Sequence, residues 1–182
     1  EVVDRINALH VPRYGLGNYV DPQAEKGATA AERKFIENLG RAGKRLMGFS
    51  RINLFKRLES SGQAFLQSIE RHVLRNYIFL HALEQHLPLP IGTQDASLLD
   101  SRTSDSDADA LQASVNWSEE QEESTTLAVA TGSTLRTEAD FVQRAAEVYA
   151  EYAQSYHRRF TWIRSDLFIT TLTRDLRQDA QE

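Results

Sequence analysis

The chain has 182 residues, 41% hydrophobic and 26% charged, with a net charge of −5 and no cysteine. That is enough apolar material for one domain. It excludes disulfides, thiolate metal sites and cysteine nucleophiles, and it fits a cytoplasmic protein. No window approaches a run of about eighteen uncharged apolar residues, and there is no basic leader followed by an apolar core, so neither a membrane span nor a secretory signal is expected. The chain opens on Glu1 instead of Met and reads as a segment of something longer.

In chain order, Glu1 to Leu9 predicts a short amphipathic helix stopped by Pro12. PRYGLGNYVDP, with two prolines and two glycines, predicts an ordered loop with aromatic anchors, Gly15 and Gly17 serving as turn glycines. A helical period resumes through Phe35, Leu39, Ala42 and Leu46, opened by a capping-box pair, Thr29 and Glu32, and closed at Gly48. Ser50 to Leu87 then carries apolar residues at Phe55, Leu58, Phe65, Ile69, Val73, Tyr77, Leu80 and Leu83. Steps of three and four place them on one helical face. The expectation is one rod of roughly 57 Å at about 1.5 Å per residue. Gly62 falls on the apolar stripe beside Ser60 and Ser61, which predicts a close helix crossing there, with a bend as the alternative.

PLPIG (Pro88 to Gly92) ends the rod. Residues 94–133 are rich in Ser, Asp, Thr and Glu, and predict an acidic, partly disordered loop with a short helix near Ala108 to Val115. Thr137 opens another helix through Phe141, Ala145, Val148, Tyr152 and Tyr156, with acids at its start and Arg158 and Arg159 near its end. Ser165 is expected to cap a last helix through Leu167, Phe168, Leu172 and Leu176. The fold class that follows is all-α: one helical domain over residues 1–182, a bundle around one long central helix, with the acidic loop inserted in it.

The net charge conceals an asymmetry. From Arg33 to Arg75 there are ten basic residues against three acidic; from Asp95 to Glu123 there are nine acidic against Arg102 alone. GRAGKR (Gly40 to Arg45) imitates the end of a phosphate-binding loop, but Asn38 stands where a glycine is needed and Arg45 where a magnesium-holding hydroxyl is needed. DSDAD (Asp105 to Asp109) copies the start of a calcium loop, but Ala110 and Asn116 occupy its two demanding positions. The five histidines form no HExxH and no Glu-x-x-His pair, and His81 with Glu84 reads as an ordinary helix-surface pair. No catalytic or metal site is therefore expected, and a free-standing enzyme is the weakest reading. The basic cluster is more informative. Arg41, Lys44 and Arg45 share a helix face, Arg51, Lys56 and Arg57 follow, and Arg71 and Arg75 lie four apart. Cations so grouped suit phosphate, with an affinity that falls steeply with salt; the plainer alternative is a solvated face.

RINLFKRLESSGQAF (Arg51 to Phe65) resembles a helical segment of large superfamily-two DNA helicases of the Swi/Snf-like type, including bacterial members joined to phospholipase-D-like nuclease domains. WIRSDLF with the leucines to Leu176 resembles the end of that region, and PRY at Pro12 to Tyr14 its beginning. The resemblance implies a non-catalytic helical region linking two RecA-like motor lobes, in a parent enzyme that uses ATP and Mg²⁺ and moves on DNA. It implies no cofactor in this segment. Arg41, Lys44, Arg45, Arg51, Lys56 and Arg57 are then the candidates for DNA or lobe contact. The alternative is a protein–protein interaction bundle whose acidic loop regulates the basic surface.

Overall fold

The computed structural model describes residues 2–92 and 135–182. The acidic stretch 94–133, with its expected short helix and its DSDAD string, lies outside the described residues. The order is α1 (Val2–Ala8), a 3-10 segment (Pro12–Tyr19), α2 (Pro22–Lys26), α3 (Ala30–Ser60), α4 (Gly62–Glu84), β1 (Leu89–Ile91), α5 (Glu138–Ser155), β2 (Thr161–Ile163) and α6 (Thr171–Gln181). The fold is all-α, with one small two-stranded sheet.

The helices start where the sequence supplies caps. Thr29 Oγ1 accepts from the Glu32 amide at 3.2 Å while the Glu32 carboxylate accepts from the Thr29 amide at 2.7 Å. Thr137 and Asp140 repeat the arrangement on α5. The division between the long helices differs from the expectation. Gly48 does not stop α3, which runs on to Ser60. The break falls at Ser61, whose extended backbone (φ −166°, ψ 129°) ends α3 and whose hydroxyl caps α4 at the Ala64 amide. A single glycine inside a helix costs only about 1 kcal/mol, so packing carries α3 through it; a side chain able to cap makes Ser61 the better place to stop.

Gly62 is exposed, and a Cβ there would meet nothing within 4 Å. The Ser60–Gly62 run is thus a bend, not a close crossing. The close crossing lies elsewhere. A Cβ on Gly17 would stand 2.6 Å from the Gly40 Cα, one on Gly15 2.7 Å from the Met47 sulfur, and one on Gly43 3.4 Å from the Gly15 Cα. Gly15 and Gly17 are therefore packing glycines that let the 3-10 segment lie directly on the α3 backbone, not turn glycines.

The main core joins α4, α5 and α6 through buried Leu74, Ile78, Ala145, Val148, Leu172 and Leu176. Tyr152 and Phe160 close it at 4.4 Å between ring centroids. A second, smaller core gathers Ile6, Leu9, Val11 and Leu54, with Leu58, Phe65 and Ile69 packed against it, under the corner between α3 and α4. The strands pair antiparallel, Leu89 opposite Ile163 and Ile91 opposite Thr161. They are three residues each, and β1 contains Pro90, so the sequence read this stretch only as a helix stop. Ser165–Leu167 forms a 3-10 turn and α6 begins at Thr171, six residues after the expected cap. The reason is tertiary: Phe168 bridges Val20, and the Ile169 amide donates to the Tyr19 carbonyl at 2.8 Å, which holds the chain extended there.

Val11 is a strained point of the backbone, left-handed at φ 45°, ψ 51° although it is β-branched and fully buried. Asp179 of α6 holds it, one carboxylate oxygen accepting from the His10 amide at 2.7 Å and the other from the Val11 amide at 2.6 Å.

Asp179→Ala leaves two amides without acceptors around a strained residue, and is expected to lower stability in urea denaturation by about 2–4 kcal/mol. Gly17→Ala should cost about 1–3 kcal/mol by overpacking, whereas Gly62→Ala should be neutral or stabilise by up to about 1 kcal/mol. Equal effects of the two glycine substitutions would contradict the placement of the close crossing.

Candidate functional site

All six candidate cations lie on α3, a single helix of 31 residues, about 46 Å long at about 1.5 Å per residue. The helix carries eight basic residues against three acidic. At about 100° per residue, Arg41, Lys56 and, from further upstream, Lys34 fall within one sector of roughly 60°. All three are exposed, and so is Ile52 in the same sector. Glu37 and Glu59 share this side, and Arg41 is ion-paired to Glu37. Lys44 and Arg45 lie on the same helix, and their side chains are outside the described residues. Lys34, visible in the sequence but not singled out, belongs to the surface because it stands seven residues before Arg41.

Two of the six are placed differently. Arg51 turns away from this sector, and its guanidinium donates to the Leu9 carbonyl at 2.6 Å, tying α3 to the end of α1. Arg57 lies on the opposite side of the helix from Arg41 and is half-buried. GRAGKR is helical throughout, so its amides are bonded within α3 instead of being turned toward a phosphate.

Arg71 and Arg75 do not join the outer face. Both are buried on α4 together with His72 and Asn76. Arg13, buried at the start of the 3-10 segment, donates from Nε to Asn76 Oδ1 at 3.2 Å, and Asn76 Nδ2 donates to the Leu176 carbonyl at 3.4 Å. The Arg13 guanidinium also lies over the Tyr14 ring at 4.9 Å. His72 Nε2 is buried with no hydrogen-bond partner. Its pKa is pushed down to about 3, first by burial and then by the Arg13 and Arg75 guanidiniums. Tyr19, at the end of the 3-10 segment, donates to Asp175 of α6 at 2.9 Å, and burial, followed by that carboxylate, pushes the phenol's pKa up. These groups fasten the core together.

His81 and Glu84 do not pair with each other: Glu84 bonds Arg177 of α6, and the His81 ring lies 5.3 Å from that of Tyr149. Among the described residues no group of three or more histidine, aspartate or glutamate side chains is placed to hold a metal ion, and no helix is long and apolar enough to cross a membrane. Comparison with protein-family models, with curated proteins and with solved structures finds no match.

The depressed pKa of His72 has a calculable effect. An unfolded histidine takes up a proton near pH 6.5, while the folded one stays neutral to about 3. Between those values the unfolded state binds the extra proton, so stability falls as pH falls, by up to about 1.4 kcal/mol per pH unit. Unfolding free energies measured at pH 7 and pH 5 should differ by about 2 kcal/mol less in His72→Gln than in the parent chain; an identical pH dependence would mean that His72 is not the group responsible.

Proposed function

We propose that this chain is a non-catalytic helical region of an ATP-dependent DNA helicase or translocase of the cytoplasm, docked on the motor lobes and contacting DNA through the outer face of α3. ATP and Mg²⁺ would be bound by the lobes. The observation that carries the DNA contact is the exposed row of Lys34, Arg41 and Lys56 along one uninterrupted helix. α3 packs against the 3-10 segment, α1 and α4, which leaves that row facing outward. A row of cations on a straight rod suits the regular spacing of phosphates along a duplex, and it positions without reading sequence. The resemblance of RINLFKRLESSGQAF to the helicase segment supplies the motor part of the reading. Arg51 and Arg57, which belong to that string, would act by shaping the corner of α3 and α4.

Fluorescence anisotropy with a labelled 20-base-pair duplex tests the contact. Binding is expected at 50 mM salt and should weaken steeply by 200 mM, with a slope of log K on log salt of about −3 for three phosphate contacts. Lys34→Glu, Arg41→Glu and Lys56→Glu together should abolish it, while circular dichroism stays unchanged because all three side chains are exposed. Unchanged affinity in the triple variant sinks the DNA contact. The motor part fails independently if the complete reading frame encodes no ATP-binding lobes; the chain would then stand as an interaction bundle.

A further inference from the structure

The end of α5 carries a second cationic surface that is built differently from the first. YHRRFTWIRS, Tyr156 to Ser165, contains three arginines, a histidine and three aromatic residues, and no acid. His157, Arg158 and Arg159 form an exposed 3-10 turn just after α5. Two or three cations after a helix C-terminus offset its dipole, which accounts for the charge but not for the rings. The Trp162 indole donates from Nε1 to the His157 carbonyl at 2.8 Å. The imidazole of His157 stacks on the indole at 5.0 Å between centroids and 17° between planes. Tyr149 and Phe160 meet the same indole edge-on at 5.8 and 5.9 Å, so it is held in place. The Arg159 guanidinium lies over the Tyr156 ring at 5.0 Å.

The result is a fixed two-ring stack whose outer member is an exposed imidazole, with arginines next to it in the chain. The half-buried indole is already fixed by its ring contacts and its hydrogen bond, so the histidine laid flat on it extends the stack outward instead of securing it. Single-stranded nucleic acids are held by this combination, aromatic faces that continue the base stack and cations that meet the backbone, with little dependence on sequence. We infer that His157, Trp162, Arg158 and Arg159 form a single-strand nucleic-acid site, with a base stacked on the outer face of His157 and phosphates met by the two arginines.

This site is separate from the α3 row and does not rest on it. Arg164, just past β2, is bonded to Glu32 at the start of α3 at 3.0 Å, on the side of the helix away from Lys34.

The full chain contains two tryptophans, so Trp117→Phe leaves Trp162 as a local reporter. Titration with a fifteen-nucleotide oligothymidylate should quench its fluorescence at 50 mM salt, with the binding weakened at 200 mM. His157→Ala with Arg158→Gln and Arg159→Gln should weaken binding at least about tenfold. Arg158→Gln with Arg159→Gln alone touches only exposed side chains; it should weaken binding with the helix content intact. The α3 charge-reversal variant should retain the quench, so failure of the duplex contact and failure of this site are read separately. Absence of quenching, or wild-type affinity in the turn variants, overturns the site. Equal quenching by poly-glutamate of matched charge also overturns it, because an acidic polypeptide offers no base to stack.

Discussion

The carboxylate of Asp179 is the contact on which the most structure depends. It sits near the C-terminus and accepts from two successive amides near the N-terminus. One of them belongs to Val11, whose left-handed backbone a β-branched residue adopts only when its surroundings hold it there. The direction taken by the chain at Val11 aims the 3-10 segment at α3. Gly15 and Gly17 then allow that segment to approach the backbone around Gly40 and Gly43. α3 has no extensive contact with α5 or α6, so this glycine seam, the shared corner with α4 and the buried Phe35 and Ile36 near its start hold it in place. Arg51 closes the same loop from the other side by bonding the Leu9 carbonyl. Burial raises the pKa of Asp179, while the two amides oppose that rise. The clamp is thus a charge kept in the interior by the amides it holds.

The polar groups on α4 follow the same rule. Buried cations are tolerated when each finds an acceptor or a ring. Arg13 has both, in Asn76 and Tyr14. His72 has neither for its Nε2, and it meets the constraint by staying neutral. Arginine cannot take that route, because its pKa lies too high. Arg13 and His72 thus show two solutions in one buried patch, pairing for a permanent charge and discharge for one that is not.

Much of this was legible in the sequence. The all-α class, the caps at Thr29 and Thr137, and the apolar stripes of α4 and α5 follow from local spacing, and local spacing is what a chain shows on its face. The misreadings share a cause. Gly48 reads as a stop and Gly62 as a crossing when each is judged by its neighbours in sequence; the seam with Gly17 and Gly40 joins residues 23 apart, and no local pattern reports it. Arg71 and Arg75 carry the same four-residue spacing as a surface pair, and only the packing of other elements against this side of α4 makes it an interior one. Within the candidate site the cations of α3 were legible as a group. Which of them faces outward was not, because a helix break moved from Gly48 to Ser61 changes which residues share one rod.

That break also bears on the one distinctive string in the chain. RINLFKRLESSGQAF spans the end of α3, the extended Ser61 and the start of α4. Leu54, Leu58 and Phe65 fill the second core beneath it, Arg51 bonds back to α1, and Ser61 caps the next helix. Each of these residues answers a demand of the corner: apolar groups under the bend, a cation to fasten the neighbouring segment, a hydroxyl to start α4, and small exposed residues where the chain changes direction. A string held together by a corner can be shared by every protein that needs that corner. The string therefore speaks first to the shape of the region, and the proposed helicase reading draws on it only through that shape. The outward row of Lys34, Arg41 and Lys56 is not required by the corner, and the proposed DNA contact rests on that row.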